Sequence, residues 1–158
     1  MMLAISGLAC SNMHKPDLNR IEEQTKKLYN KSDVAYRNNY EELVNSDKSK
    51  NNTFLTEEAI YAKVYENSFP YSIKKLDKDP TKRIIEILND TSSYEWGEFG
   101  TPEYDKVIIY YGKTADPIGY TLVDPSGEVE NYPYRSLMKW GMLTNKGFSK
   151  LSNELYQY

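Results

Sequence analysis

Residues 106–132 read KVIIYYGKTADPIGYTLVDPSGEVENY, and their pattern decides the fold class. Residues 107–111 form a continuous apolar run of the length of a buried strand, and apolar residues at 118, 120 and 122 alternate with their neighbours. Residues 124–127 (Asp-Pro-Ser-Gly) have proline at the second and glycine at the fourth position of a β-turn. Residues 128–132 then form a third, more polar strand. We predict a short antiparallel β-meander of about three strands over residues 106–132.

The segments beside the meander have helical spacing. Asp79-Pro80 is a good helix start, and the apolar residues between 84 and 88 make the following helix the most apolar of the chain. A helix is also predicted from Thr56 to about Ser68, because apolar residues fall at 60, 61, 64 and 65. Two C-terminal helices are predicted, at Pro133–Met142 and Ser149–Tyr156. Helices segregated from a small antiparallel sheet indicate an α+β fold.

The N-terminal third is polar, with one narrow apolar stripe. Apolar or small residues recur at three- and four-residue steps from Leu18 to Leu43, which predicts a long helix beginning near Pro16. Ser32-Asp33 could instead cap a second helix, giving a helix pair. Residues 45–53 contain no apolar side chain and are predicted to be a loop. We therefore expect a polar helical stalk and loop at 11–53 and a compact α+β domain at 54–158.

Residues 3–10 read LAISGLAC and end in the only cysteine of the chain. This short apolar run before a cysteine resembles the lipobox of bacterial lipoproteins, with Leu8 one position nearer the cysteine than the family's usual leucine. The resemblance implies that residues 1–10 are a signal and lipidation segment, and that acyl chains on Cys10 anchor the mature protein to a membrane of the bacterial cell envelope. Ser11 then favours the outer membrane if the source is Gram-negative.

Two residue types that build many catalytic and metal sites are nearly missing. No cysteine follows Cys10, and His14 is the only histidine. Disulfides, thiolate zinc sites, cysteine nucleophiles, histidine-based triads and multi-histidine metal sites therefore cannot be built from the rest of the chain. We predict no metal, no cofactor and no enzymatic activity.

The negative charge is concentrated in the middle of the chain. Residues 86–131 carry ten acidic and two basic side chains, a net charge of −8 within a chain of net charge −3. Such a region would repel the phosphates of nucleic acid, so nucleic acid is not predicted as a ligand. It favours a basic protein as partner.

Within this region, residues 94–105 read YEWGEFGTPEYD and form a loop with four aromatic and four acidic side chains. Loops often carry function, and aromatic residues with polar neighbours are typical of interface anchors. Alternatively, Trp96 and Phe99 pack on the core while the acidic side chains face water. The predicted partner-binding residues are Tyr94, Glu95, Trp96, Glu98, Phe99, Glu103, Tyr104 and Asp105.

These features together predict a non-enzymatic, lipid-anchored envelope protein that binds another protein through an acidic aromatic surface. One alternative is an immunity or inhibitor protein that neutralises a basic toxin or enzyme. A second alternative is a carboxylate-based hydrolase acting on envelope glycan or peptide, since paired carboxylates can perform such chemistry.

Overall fold

The apolar run at 107–111 lies in the central strand of the fold. The computed structural model describes residues 14–25, 54–55, 57–95, 101–133 and 141–156. Three helices are present in these residues: α1 (Leu18–Thr25), α2 (Lys78–Asn89) and α3 (Asn145–Tyr156). Five strands accompany them: β1 (Tyr61–Glu66), β2 (Ser72–Leu76), β3 (Lys106–Tyr111), β4 (Pro117–Val123) and β5 (Val129–Tyr132). All six residues of β3 are buried, which explains why its sequence is a continuous apolar run.

The five strands form one antiparallel sheet in the order β2-β1-β3-β4-β5. β1 and β2 form a hairpin at one edge, and β3 to β5 form the meander that reaches the other edge. Between β2 and β3 the chain passes through α2 and a short 3-10 turn at Thr91–Ser93. It then returns to the centre, where Ile108 of β3 pairs with Val64 of β1.

α2 and α3 cover one face of the sheet with a mainly aliphatic core. Ile84 and Leu88 of α2 and Leu151 of α3 are almost fully buried there. α3 approaches the 3-10 turn so closely that a Cβ on Gly147 would lie 2.5 Å from the carbonyl oxygen of Ser93. Glycine is therefore required for this helix to pack at its observed distance.

α1 covers part of the opposite face. Its first turn is capped by Asp17, whose Oδ1 accepts a hydrogen bond of 3.0 Å from the amide of Asn19. Ile21 is buried against the sheet, and the hydroxyl of Tyr120 donates to Glu22 Oε1 at 2.6 Å. The sheet therefore has helices on both faces, with tyrosine hydroxyls bonded to the helix on the α1 side.

The expected fold, with a long N-terminal helix or helix pair and about three strands, is wrong. The sheet has five strands, and the described residues contain no long N-terminal helix or helix pair, because α1 ends at Thr25. The rest of the predicted stripe, with the predicted loop, lies at 26–53, outside the described residues. The stripe residues Ile21 and Thr25 are buried by the protein's own sheet. A short apolar stripe here serves intramolecular packing.

Residues 61–66 form β1 and not the helix predicted over 56–68. Positions 61, 64 and 65 fit a helical face, but they also fit a strand whose two faces are both covered. Ala62 and Val64 face the α2–α3 side, whereas Tyr65 faces the α1 side. Because both sets are apolar, the two-residue alternation is hidden, and pairing with β3 and β2 decides the conformation.

Other predicted elements are present. The amide of Gly127 donates to the carbonyl of Asp124 at 3.0 Å, and Gly127 has a φ of +100°, which favours glycine. The helix predicted at Pro133–Met142 falls mostly on 134–140, outside the described residues, and Met142 itself forms a β-bridge with Glu128.

In the described part of the chain, no helix has the length and apolar character needed to cross a membrane.

Candidate functional site at the acidic end of the sheet

The predicted binding segment 94–105 divides between the core and the surface. Tyr94 is only 2% exposed, and its hydroxyl donates to the carbonyl of Leu88 at 2.9 Å. Burial raises the pKa of the Tyr94 hydroxyl, so the side chain stays neutral and acts in packing. Glu95 is exposed, and its amide donates to the carbonyl of Met142. Trp96, Glu98 and Phe99 lie outside the described residues.

Glu103, Tyr104 and Asp105 lie together at one end of the sheet, immediately before β3. The amide of Glu103 donates to Asp124 Oδ2 at 2.6 Å, which leaves the Glu103 carboxylate exposed to solvent. The hydroxyl of Tyr104 donates to Glu130 Oε2 at 3.2 Å. Asp105 accepts a hydrogen bond of 2.8 Å from Lys106 Nζ. Each of the three residues is therefore held by a different element. Glu103 is bonded to the β4–β5 turn, Tyr104 to β5 and Asp105 to the first residue of β3.

Strand pairing brings further carboxylates to the same end. β1 and β4 end there, while β3 and β5 begin there. The pairing shows this, because Glu66 pairs with Lys106, Lys106 with Val123, and Val123 with Val129. We call this group of carboxylates the acidic rim; it consists of Glu66, Glu103, Asp105, Asp124, Glu128 and Glu130. Four separate chain segments contribute to it, so it is a product of the fold.

Asp124 organises the rim through hydrogen bonds. Its Oδ1 accepts from the amide of Ser126 at 2.7 Å and also from the Ser126 hydroxyl, while its Oδ2 accepts from the amide of Glu103. Burial alone would raise the pKa of the Asp124 carboxyl, but these donors stabilise the carboxylate and hold the pKa below its usual value. Asp124 therefore joins the β4–β5 turn to the segment before β3 as an anion at neutral pH.

Glu128 shows the electrostatic consequence of gathering carboxylates. Its pKa is raised, first by partial burial and then by repulsion from Asp124 and Glu130. A cation placed beside Glu128 would remove part of that repulsion. The rim is therefore an environment in which an incoming positive charge is favoured.

A shallow depression of about 740 Å³ opens beside the rim. Its lining includes Glu66, Glu103, Asp105 and Lys106. Burial would lower the pKa of Lys106, but the hydrogen bond to Asp105 and the charges of Asp105, Glu66 and Tyr156 together outweigh burial and raise the pKa. Lys106 is thus held as a cation paired with Asp105, while Glu66 and Glu103 are exposed.

The rim suits recognition of cations by several carboxylates in a fixed arrangement. Among the described residues, no group of three or more His, Cys, Asp or Glu side chains is placed so that it could hold a metal ion. Carboxylates spread in this way can each pair with one lysine or arginine side chain.

Comparisons with known proteins found no family model, no curated protein and no solved structure that matches the chain.

The sequence pattern predicts Glu103, Tyr104 and Asp105 as site residues. It does not predict the other four members of the rim, Glu66, Asp124, Glu128 and Glu130. The available signals were the net charge of −8 over residues 86–131 and the predicted turn at 124–127. Glu66 gave no signal, because its place in the rim depends on β1, which was predicted to be helical.

Proposed function

We propose that the protein is a non-enzymatic, lipid-anchored protein of the bacterial cell envelope that binds a basic partner protein through the acidic rim. The observation that carries the proposal is the convergence of six carboxylates from four chain segments at one end of the sheet. Chance clustering along the sequence does not account for it, because Glu66 and Glu130 are far apart in the chain and are placed by strand pairing.

The hydrogen bonds of the rim support a binding role. Asp124 and Tyr104 tie the carboxylate-bearing segments to one another before any partner arrives. A preformed arrangement reduces the ordering cost of association, and complementary charge speeds capture of a basic partner. Burial first, and then repulsion from Asp124 and Glu130, raises the pKa of Glu128, and a cationic partner would relieve the repulsive part of this cost.

A more specific form of the proposal is an immunity or inhibitor protein that neutralises a basic toxin or enzyme. The preformed character of the rim favours this form, because inhibitors need fast and tight association. The lipid anchor rests on the resemblance of residues 3–10 to a lipobox and places the encounter at the envelope.

A charge-reversal pair tests the binding role. The rim variant combines Glu66→Lys and Glu103→Lys, two exposed side chains whose carboxylates make no hydrogen bond that holds the rim together. The matched control combines Glu23→Lys and Glu86→Lys, which are exposed on α1 and α2 and change the net charge equally. Partners are cross-linked in intact cells, recovered from envelopes and quantified by mass spectrometry for wild type and both variants.

We expect a basic protein that wild type and control recover equally and that the rim variant loses. With the purified partner, the rim variant should associate at least about tenfold more slowly at low salt. Equal recovery of every partner by the rim variant would contradict the proposal.

The anchor is tested separately by intact mass and membrane fractionation of wild type and Cys10→Ala. A mature chain that begins at Cys10 with added acyl mass, lost in the variant, is the expected result. An unprocessed chain that does not sediment with membranes would contradict the anchor.

A further inference from the structure

The exposed large apolar side chains are concentrated at one place. Among the described residues, Phe69, Tyr71, Ile73 and Tyr156 are the large apolar side chains that remain exposed, and the first three belong to the β1–β2 hairpin. Phe69 is 48% exposed, Tyr71 41% and Ile73 47%. The Phe69 and Tyr71 rings contact each other edge to face, with centroids 5.6 Å apart. The hairpin therefore presents a continuous apolar tip to solvent.

The hairpin tip, residues 67–73, reads NSFPYSI and contains no charged residue. Contiguous exposed apolar side chains are typical of interaction surfaces. Glu66 precedes it, and Lys74 and Lys75 follow it. The tip is thus bounded by charges but is itself composed of aromatic, aliphatic and small polar side chains.

The N-terminal segment is fixed to this tip. His14 forms a β-bridge with Tyr71, and the two rings have centroids 4.7 Å apart. The amide of Lys15 donates to the carbonyl of Pro70, and its ammonium donates to the carbonyl of Asn67. His14 and Lys15, the first residues that the structure describes, therefore lie directly beside the exposed rings.

The distance from the tip to the proposed anchor is limited by covalent geometry. Cys10 is four residues before His14, and four extended residues span at most about 14 Å. Acyl chains on Cys10 would enter the bilayer, so His14, which contacts the hairpin tip, would lie within about this distance of the membrane surface. An interfacial element reaches about 5–10 Å into the headgroup region, a depth within the range of this tether.

We propose that the hairpin tip, with Phe69, Tyr71 and Ile73, seats in the interfacial region of the bilayer that holds the Cys10 lipid, and so fixes the orientation of the domain. The proposal rests on the anchor of the proposed function. Tyrosine, with an apolar ring and a polar hydroxyl, suits the membrane–water interface. Lys15, held at the tip, carries a positive charge toward the lipid phosphates.

The acidic rim determines which bilayer is favoured. Glu66, Glu103 and Asp105 lie at the same end of the sheet as the hairpin, so an anionic surface would repel this end. Strand order places Glu130 three strands from Glu66, about 14 Å across the sheet. A seated hairpin would hold the rim beside the bilayer, where a partner approaching along the membrane meets it.

The experiment places a polarity-sensitive NBD probe on Ser68→Cys in the full lipidated chain. The Cys10 thiol is consumed by the lipid, so the introduced cysteine is the labelling site, and unlabelled wild type verifies this. Lys82→Cys, exposed on α2, is the matched control position. Each labelled protein is reconstituted into phosphatidylcholine vesicles, with and without phosphatidylglycerol, and with brominated acyl chains as quencher.

We expect a blue-shifted emission for the Ser68 probe and quenching by brominated lipid, and neither for the Lys82 probe. Replacing Phe69, Tyr71 and Ile73 by serine should abolish both signals, and phosphatidylglycerol should weaken them.

A water-like Ser68 signal in chains whose acyl mass is confirmed would overturn the hairpin proposal and leave the anchor intact. A blue shift without bromolipid quenching would also overturn it, because the tip would then be covered by protein. Absence of acyl mass would overturn the anchor and, with it, the hairpin proposal.

Discussion

At the end of the sheet where β1 begins, Glu58 forms two ion pairs. Its Oε1 lies 2.7 Å from Lys78 Nζ, and its Oε2 lies 3.7 Å from Lys113 Nζ. At the end where β1 finishes, Asp124 accepts its hydrogen bonds from the amides of Ser126 and Glu103 and from the Ser126 hydroxyl. Both Glu58 and Asp124 have a lowered pKa, but lysines lower it for Glu58 and neutral donors outweigh burial for Asp124. Exposed ion pairs with lysines hold Glu58 at one end, whereas neutral donors hold Asp124 at the other.

The contrast between Asp124 and Glu58 shows how a protein can hold a carboxylate in place without pairing it with a cation. Neutral backbone donors position a carboxylate without cancelling its charge, so the charge remains available to a partner. Flexible lysines cancel the charge and add little rigidity, because both partners stay exposed to water. The acidic rim is therefore the end suited to recognition.

Asp124→Ala should have the largest effect on stability, because it removes the acceptor that joins the β4–β5 turn to the segment before β3. Loss of hydrogen bonds to a charged acceptor predicts a fall of about 2–3 kcal/mol in the free energy of unfolding. Urea denaturation measures this change. The matched control is Asp116→Ala, which also precedes a proline, in the β3–β4 hairpin, but whose side chain is exposed.

If Asp116→Ala cost as much as Asp124→Ala, the loss would reflect the Asp-Pro dipeptide. The distinction between the two ends of the sheet would then fail.

The sequence predicted the parts of the molecule that depend on local chemistry. The turn at 124–127, the helix starting near Asp79 and the apolar strand at 107–111 follow from neighbouring residues. The β1–β2 hairpin did not follow, because Val64 and Tyr65 fit a helical face as well as a doubly covered strand. Only the presence of β3 beside β1 selects the strand, and a single sequence does not reveal that pairing.

The residues of the candidate site also fall into two groups: those that follow from neighbouring residues and those that depend on the fold. Glu103, Tyr104 and Asp105 were found because they lie close together in an unusual segment. Glu66 and Glu130 join them through strand pairing over long sequence distances, and Asp124 joins them through a side-chain hydrogen bond. Tyr94 was assigned to the surface because an aromatic residue in an acidic loop resembles an interface anchor, but its hydroxyl finds a buried acceptor on Leu88.

Glu128→Gln should have a smaller effect, which depends on pH. The folded state raises the pKa of Glu128 above its usual value, so the folded protein binds the proton more tightly than the unfolded chain. Wild-type stability should therefore fall as the pH rises from the usual glutamate pKa through the raised value. At neutral pH the Gln variant should be more stable than wild type, and the advantage should disappear in acid.

Thermal unfolding across this pH range measures the Glu128 effect, with Glu86→Gln on α2 as the control for loss of one negative charge. A variant no more stable than wild type at neutral pH would mean that burial and the neighbouring carboxylates do not raise the pKa of Glu128 in the folded protein.

Glu58→Gln should have the smallest effect of the three. Its ion pair with Lys78 is exposed, with 51% and 56% of the two side chains accessible, so water solvates both charges when the pair is broken. Screening by salt already weakens such a pair, so its loss should leave the urea midpoint unchanged within error at physiological ionic strength. A clear destabilisation that disappears in high salt would show that ion pairs hold this end as firmly as Asp124 holds the rim. In that case rigidity would not distinguish the two ends, and only net charge would favour the rim as the binding surface.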